Sequence, residues 1–390
     1  MLRRIITAVA TSRRAAWMWL PMVVVTSVAA ANETLHVPSD HPTIQAAIDI
    51  AVDGDVVAVA PGIYPEAIDL RGKAIVVKST LGAQFTVIDA SGLAASGVKC
   101  ASGEGPATVI DGFTVTGGSG DPSVFGTRLG GGMFIFKSSP TVLDCTFVGN
   151  EAAGGGGLCN FGSASTISGC RFIDNTASFS DGGGGMANVG SSPTVTNCVF
   201  RGNDSGFDGG GMHNLGGSPS IVNCAFLGNT AQIGAGMRNS GASPTIINCT
   251  FADNVAFFGG GIRSSSGGTV QVTNCILWGN EPDQILELAG ATTVVAHSTV
   301  QDGWDTGSVV LVDDPRFVDP ASGNYRLADD SPCIDSGDPR SYEGPDVDLD
   351  GNPRLHRTAD AGALGPGLMT VGAVVDLGPW ENPDPTGARP

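Results

Sequence analysis

Asn197-Cys198-Val199-Phe200-Arg201-Gly202-Asn203 is one rung of a ladder. The same seven positions return as Asp144-Cys145-Thr146-Phe147-Val148-Gly149-Asn150 and Gly169-Cys170-Arg171-Phe172-Ile173-Asp174-Asn175. They recur as Asn223-Cys224-Ala225-Phe226-Leu227-Gly228-Asn229, Asn248-Cys249-Thr250-Phe251-Ala252-Asp253-Asn254 and Asn274-Cys275-Ile276-Leu277-Trp278-Gly279-Asn280. Successive cysteines lie 25, 28, 26, 25 and 26 residues apart. A glycine cluster closed by one apolar residue keeps the same phase, ending at Met133, Leu158, Met186, Met212, Met237 and Ile262. Two independent marks with one period define an array of repeats. Helical repeats run to about 30 residues or more and read with a 3.6 period. Here the runs are short and alternating, as in Thr194-Val195-Thr196 and Ser220-Ile221-Val222, which is strand chemistry. Asn and Gly between them supply the left-handed backbone of tight corners.

A coil of three short strands and three turns uses up one such period, and stacked coils hydrogen-bond like a parallel sheet about 4.8 Å apart. The pattern predicts an all-β parallel solenoid, a β-helix of about ten coils with equivalent residues lined up along its axis. In Cys-x-Phe the two residues share a face, and Phe belongs inside. Cys145, Cys170, Cys198, Cys224, Cys249 and Cys275 then stack inward as small apolar residues. Neighbouring Cβ atoms would sit at the coil spacing, whereas a disulfide needs them near 3.8 Å. Cys100, Cys159 and Cys333 lie outside that ladder, and one pair among them stays open. The asparagines from Asn150 to Asn280 read as amides bonding from coil to coil, and the glycine clusters read as flexible corners in register.

These repeats resemble bacterial secreted right-handed parallel β-helix proteins of the pectin-lyase-like kind, including polymorphic outer-membrane-protein repeats. Thr43-Ile44-Gln45-Ala46-Ala47-Ile48 through Asp53-Gly54-Asp55 to Pro61-Gly62-Ile63-Tyr64-Pro65-Glu66 is similar to the opening of such β-helices. In those a short amphipathic helix plugs the N-terminal end. Ile44, Ala47, Ile48 and Ala51 are spaced to give that helix one apolar face. Asp314-Pro315-Arg316-Phe317-Val318-Asp319-Pro320, Asn324-Tyr325-Arg326-Leu327, Ser331-Pro332-Cys333-Ile334-Asp335-Ser336-Gly337 and Asp348-Leu349-Asp350-Gly351-Asn352-Pro353-Arg354 occur in the order of the choice-of-anchor Q C-terminal block. Asp360-Ala361-Gly362-Ala363 keeps the first half of that block's final stretch and loses the second. The resemblance implies a right-handed β-helix over 32–300, an acidic closing segment over 301–365 and a poorly ordered tail over 366–390. The fold carries lyases, hydrolases, esterases and adhesins, so the resemblance fixes no single activity.

Arg3, Arg4, Arg13 and Arg14 precede an apolar run from Ala15 to Ala30 that ends in small residues, the pattern of a secretory signal peptide over 1–31. No later stretch is long and apolar enough to span a bilayer, so the expected mature chain is secreted, extracellular or at the cell surface, without membrane insertion. The 390 residues carry a formal charge of −18, and loss of the leader's four arginines takes it to −22. Such a surface repels phosphate backbones, which argues against a nucleic-acid partner.

Candidate chemistry is sparse. His213, Arg238 and Arg263 each follow the apolar residue of a glycine cluster, so they should stack on one outer face. One reading is an anion-binding strip for uronate or sulfate, with Arg238 or Arg263 as electrostatic clamp. The other is a solvated outer row paired with nearby Asp. Asp346, Asp348 and Asp350 alternate before Gly351 and resemble the start of a calcium loop, which makes them candidate Ca²⁺ ligands. Arg357 at the position of the EF-hand glutamate excludes a complete EF-hand. The alternative is an acidic turn. Two functions follow from this inventory. One is a non-catalytic surface or matrix protein that binds polysaccharide or cell-surface glycan. The other is a pectate-lyase-like enzyme on acidic polysaccharide. A groove lined by Arg, Asp and Tyr would favour the enzyme, and a bare glycine-rich face the binder.

Overall fold

The computed structural model describes residues 32–122, 126–179, 182–341, 347–351, 356–357, 373–374 and 376–380. The expected leader over 1–31 lies outside them. One coil shows the rule. Thr194–Thr196 is a strand, Asn197 turns the chain at φ +52°, and Val199–Arg201 continues along a second wall. Gly202 and Asn203 turn it again into Asp204–Asp208, three glycines bring it back, and Met212–Leu215 completes the circuit. Mid-molecule coils therefore hold four strand segments and not the expected three. The reason is the residue before each Cys. Asp144, Asn197, Asn223, Asn248 and Asn274 all sit at φ between 48° and 57°, a conformation Asn and Asp tolerate because their short side chains bond locally.

Coils stack in parallel register for about ten turns. Thr166, Thr194, Ser220 and Thr245 align on one wall, and Leu158, Met186, Met212, Met237 and Ile262 on another. The parallel pairing reaches from Thr34–Val37 to Gly307–Leu311, so the solenoid runs past residue 300. One continuous apolar core extends from Leu35 to Val300. Inside it Phe147, Phe172, Phe200, Phe226 and Phe251 stack with ring centroids 5.1, 4.7, 4.6 and 4.6 Å apart. The six repeat cysteines are fully buried beside them and all nine cysteines are free, so Cys100, Cys159 and Cys333 form no pair. Burial pushes the thiols of Cys145, Cys170, Cys224 and Cys275 well above their ordinary value.

Two amide ladders run along the middle coils of the stack. Asn150, Asn175, Asn203, Asn229 and Asn254 each donate a side-chain N–H to the amide oxygen of the next, ending on Asn280, at 2.8–3.0 Å. Asn160, Asn188 and Asn214 do the same along another corner, reaching Asn239. The sequence reading foresaw only the first. The glycine clusters are tight packing positions more than flexible corners. A Cβ on Gly211 would lie 2.6 Å from the Gly236 carbonyl oxygen and 2.9 Å from the Phe226 ring, closer than atoms pack.

The N-terminal end is plugged by the helix Ile44–Ile50, with Ile44, Ala47, Ile48 and Ala51 buried as their spacing predicts. At the far end the Trp304 indole N–H donates to the Thr293 carbonyl at 3.0 Å, and Trp304 packs on the last core residues. From residue 313 the chain turns back as an arm along the outside of the second wall. Tyr325, Phe317, Leu349 and Trp380 lie against Val199, Ala225, Leu227 and Ala252 there. Within the segment expected as a loose tail, Asp376–Trp380 joins this packing, and Leu377 is buried against Ile276, Leu327 and Cys333. No helix among the described residues is long and apolar enough to cross a membrane.

Candidate functional site

The predicted basic row forms in register. His213 pairs with Arg238 and Arg238 with Arg263 on successive coils, continuing the line of Phe134, Cys159 and Ala187. It is neither an open strip nor a solvated row, although Arg238 has the nearby Asp partner of the second reading. His213 is 3% and Arg238 8% exposed, because the returning glycine segments lie close over these residues. A Cβ on Gly209 would sit 2.9 Å from the His213 Cα. Arg238 donates to the Asn239 carbonyl at 2.8 Å and the Ser265 hydroxyl at 2.7 Å, with its Nε 3.4 Å from Asp208. Burial depresses the Arg238 pKa from its ordinary value, and Asp208 opposes that shift. Arg263 is half-buried with its guanidinium 6.0 Å from the Phe258 ring centroid. This row is tied into its own wall and offers no open strip for a polymer.

The acidic loop has a different role from the one read in the sequence. Asp346 lies outside the described residues. The Asp348 carboxylate accepts the Asp350 backbone N–H at 2.8 Å, an Asx turn. The Asp350 carboxylate takes the Arg326 guanidinium in a two-pronged pair, both bonds at 2.5 Å. That pair raises the Arg326 pKa further and engages the oxygens a cation would need. Among the described residues no cluster of three or more His, Cys, Asp or Glu is placed to hold a metal ion.

The loop instead forms one side of a cleft. The repeat pattern Cys-x-Phe-x points both x positions outward from the second wall. Arg171 fills the first in one coil and Arg201 the second in the next. Ile173 is the register partner of Arg201, so the arginines stand one strand apart and two residues along, about 8 Å between Cα atoms. The arm faces them with Arg326, Asp348, Leu349, Asp350 and Trp380, enclosing about 390 Å³. A second hollow of about 230 Å³ continues round Arg201 toward Pro320 and Tyr325. Gly323 belongs to both. A Cβ there would lie 2.7–2.9 Å from the Arg201 guanidinium, so glycine is what lets that guanidinium pass against the arm. Arg171 and Arg201 are exposed and carry no ion pair among the described residues. Tyr325 is fixed behind them by donating to Asp253 at 2.7 Å, and burial raises its pKa well above the ordinary phenol value.

The structure thus brings Asp348 and Asp350 into a cleft with arginines that the sequence reading passed over, and leaves His213, Arg238 and Arg263 on another wall. Arg171 and Arg201 were visible as charges at outward repeat positions held by uncharged residues in the other copies. Trp380 carried no comparable signal.

A family model described as right handed beta helix region matches residues 74–207 and 155–300. Among solved structures, pectate lyase Pel9A is similar at 14% identity over 91% of this chain and 97% of that one, with a TM-score of 0.45. The pectin methylesterase from Aspergillus niger is similar at 11% identity over 74% and 88%, TM-score 0.38. The carrot pectin methylesterase is similar at 10% identity over 78% and 99%, TM-score 0.36. No curated protein matches the sequence. With the family model covering more than half of its length, the chain belongs to the right-handed β-helix region family.

Proposed function

We propose that this protein is an exported surface or matrix β-helix that binds acidic polysaccharide in the cleft between its second wall and its C-terminal arm, without cutting it. The observation that carries this reading is the pair of exposed guanidiniums, Arg171 and Arg201, without ion-pair partners among the described residues and facing Trp380. A guanidinium matches a carboxylate or sulfate in shape and charge, and an indole offers a face for a sugar ring. The cleft acids favour holding over cutting. On the arm Asp350 is bound by Arg326 and Asp348 by a backbone N–H, which leaves the exposed Asp144 on the opposite wall as a single carboxylate without an ion pair among the described residues, whereas cutting a uronate calls for a base together with a bridging cation or a second acid. The N-terminal leader pattern supports export.

Affinity electrophoresis in polygalacturonate tests the reading. The mature protein should be retarded at low salt, and R171A/R201A should bind about tenfold or more weakly, the loss of two charge-assisted contacts. Equal retardation of both proteins would sink it. Release of unsaturated uronate ends, with or without Ca²⁺, would replace it with a pectate-lyase-like enzyme.

A further inference from the structure

A second surface stands on the third wall, away from the cleft. Ala177 pairs with Ser205 and Ser205 with Ala231, so Phe179 and Phe207 both stand two residues on. A one-residue bulge between Ser205 and Asp208 then pairs Asp208 with Ile233, which sets Phe207 beside Gln232, and Gln232 beside Phe257, in one row on successive coils. Phe179 is 61%, Phe207 44% and Phe257 74% exposed. None of the three joins an apolar cluster of the molecule. The fold does not require rings here, because Gln232 fills the same position on the intervening coil and is itself exposed. Sheet proteins avoid long exposed apolar rows because these recruit other chains, and a contiguous apolar strip on a soluble surface marks an interaction site. At one coil per 4.8 Å the row spans about 14 Å.

We infer that this row is a stacking platform for the apolar face of an uncharged polysaccharide, a chain of flat pyranose rings. The charge around it selects the occupant. On one side the neighbouring outward row carries Asp204 and Glu281, in register through Thr230 and Val255, both exposed and without an ion pair among the described residues. On the other side Asp208 is paired with Arg238, and Arg263 lies over Phe258; the whole chain carries −18. An anionic lipid surface, a polyuronate and a second copy of this chain would all bring negative charge to a negative strip, where each Coulomb contact is unfavourable. A neutral glycan brings none, and its C–H faces bury against the rings. The coil spacing repeats the rings along the axis, which suits a ligand that is itself a repeating flat chain. With the cleft on the second wall, one molecule would then hold an acidic and a neutral polymer at once.

The experiment uses the mature protein and a variant, F179Q/F207Q/F257Q, whose new residues copy Gln232. Each is sedimented with microcrystalline cellulose and with chitin at molar salt, where screening reaches about 3 Å and cleft binding to polyanions fades. The mature protein should pellet with at least one of these neutral polymers. The variant should lose at least tenfold in affinity while keeping its far-ultraviolet circular dichroism and its low-salt retardation in polygalacturonate. Equal sedimentation of both proteins would overturn the inference. So would failure of the mature protein to pellet with either polymer, or a ring-dependent dimer in ultracentrifugation. The cleft reading fails separately, through low-salt retardation that does not depend on Arg171 and Arg201.

Discussion

At the scale of single residues, the ends of the two amide ladders differ in a way that affects stability. The Asn150 ladder ends on Asn280, whose amide donates to the Gln284 side chain, so no donor is wasted. The other ladder stops at Asn239. Its next member in register is Ser264, which is 1% exposed, and neither the Asn239 amide N–H group nor the Ser264 hydroxyl has a protein partner. A serine hydroxyl is too short to reach where an amide oxygen would be. A buried donor left without an acceptor costs about 1–3 kcal/mol. Ser264→Asn should therefore extend the ladder, giving Asn239 its acceptor and setting the new amide beside Glu287 in the following coil. The expected outcome is a gain of about 1 kcal/mol, measured as a higher urea midpoint at unchanged slope. A loss of stability would mean that the corner at Ser264 has no room for the larger side chain.

Among the elements, the N-terminal plug depends on charge placed at its two ends by the first coil. The helix Ile44–Ile50 has seven residues, too few to be stable alone in water. Thr43 caps it by accepting the Ala46 N–H, and the Glu66 carboxylate accepts the N–H groups of Ile44 and Gln45 at 2.9 Å each. At the other end the Lys73 ammonium donates to the carbonyls of Ile48, Asp49 and Ala51 at 2.6–2.8 Å. An anion at the first turn and a cation at the last oppose the helix dipole at both poles. Lys73→Met should cost about 1–3 kcal/mol, because three carbonyls lose a charged donor, and amide exchange should quicken first in residues 44–51. Acid acts on the adjoining loop through Asp55. Its carboxylate accepts the N–H groups of Val52 and Glu33, which holds its pKa below the ordinary value. A depressed folded pKa contributes stability that is complete above the unfolded value, about 3.9, and is lost as pH falls through the folded value. The loop should loosen only below about pH 4, and Asp55→Asn should flatten that acid limb.

For the whole molecule, what the sequence revealed follows from how each part is encoded. The solenoid is written once per coil, so the Cys-x-Phe mark appears five times with a sixth copy ending in Leu277, the glycine mark six times, and both stand out from local noise. The plug was legible because four apolar residues on one face can only cover an open end. The cleft was not, because it is assembled once, from repeat residues and an arm that docks across separations such as the 124 residues between Asn223 and Val347. The basic row was legible in register but not in burial, since nothing in His213, Arg238 or Arg263 announces that glycine backbones lie over them. The docking itself reuses the left-handed asparagines. Asn223 donates to the Val347 carbonyl, Asn248 to the carbonyls of Asp376 and Gly378, and Asn274 both donates to the Asp338 carbonyl and accepts its N–H. One residue type thus bends the coil and binds the arm, and substitution can separate the two roles. Asn248→Gly keeps the positive φ at no steric cost but removes the two hydrogen bonds to the arm, about 1 kcal/mol each, and a long one accepted from Asn274. Asn248→Ala loses the same bonds and adds about 1–2 kcal/mol for a left-handed Cβ. In the Gly variant a protease should cut the arm sooner while the solenoid's circular dichroism and melting stay near those of the parent. The Ala variant should lower the melting temperature as well. Because the arm supplies Trp380 and Arg326 to the cleft, the Gly variant should also bind polygalacturonate more weakly, with Arg171 and Arg201 untouched. Full binding after the arm is cut away would show that the second wall alone makes the site.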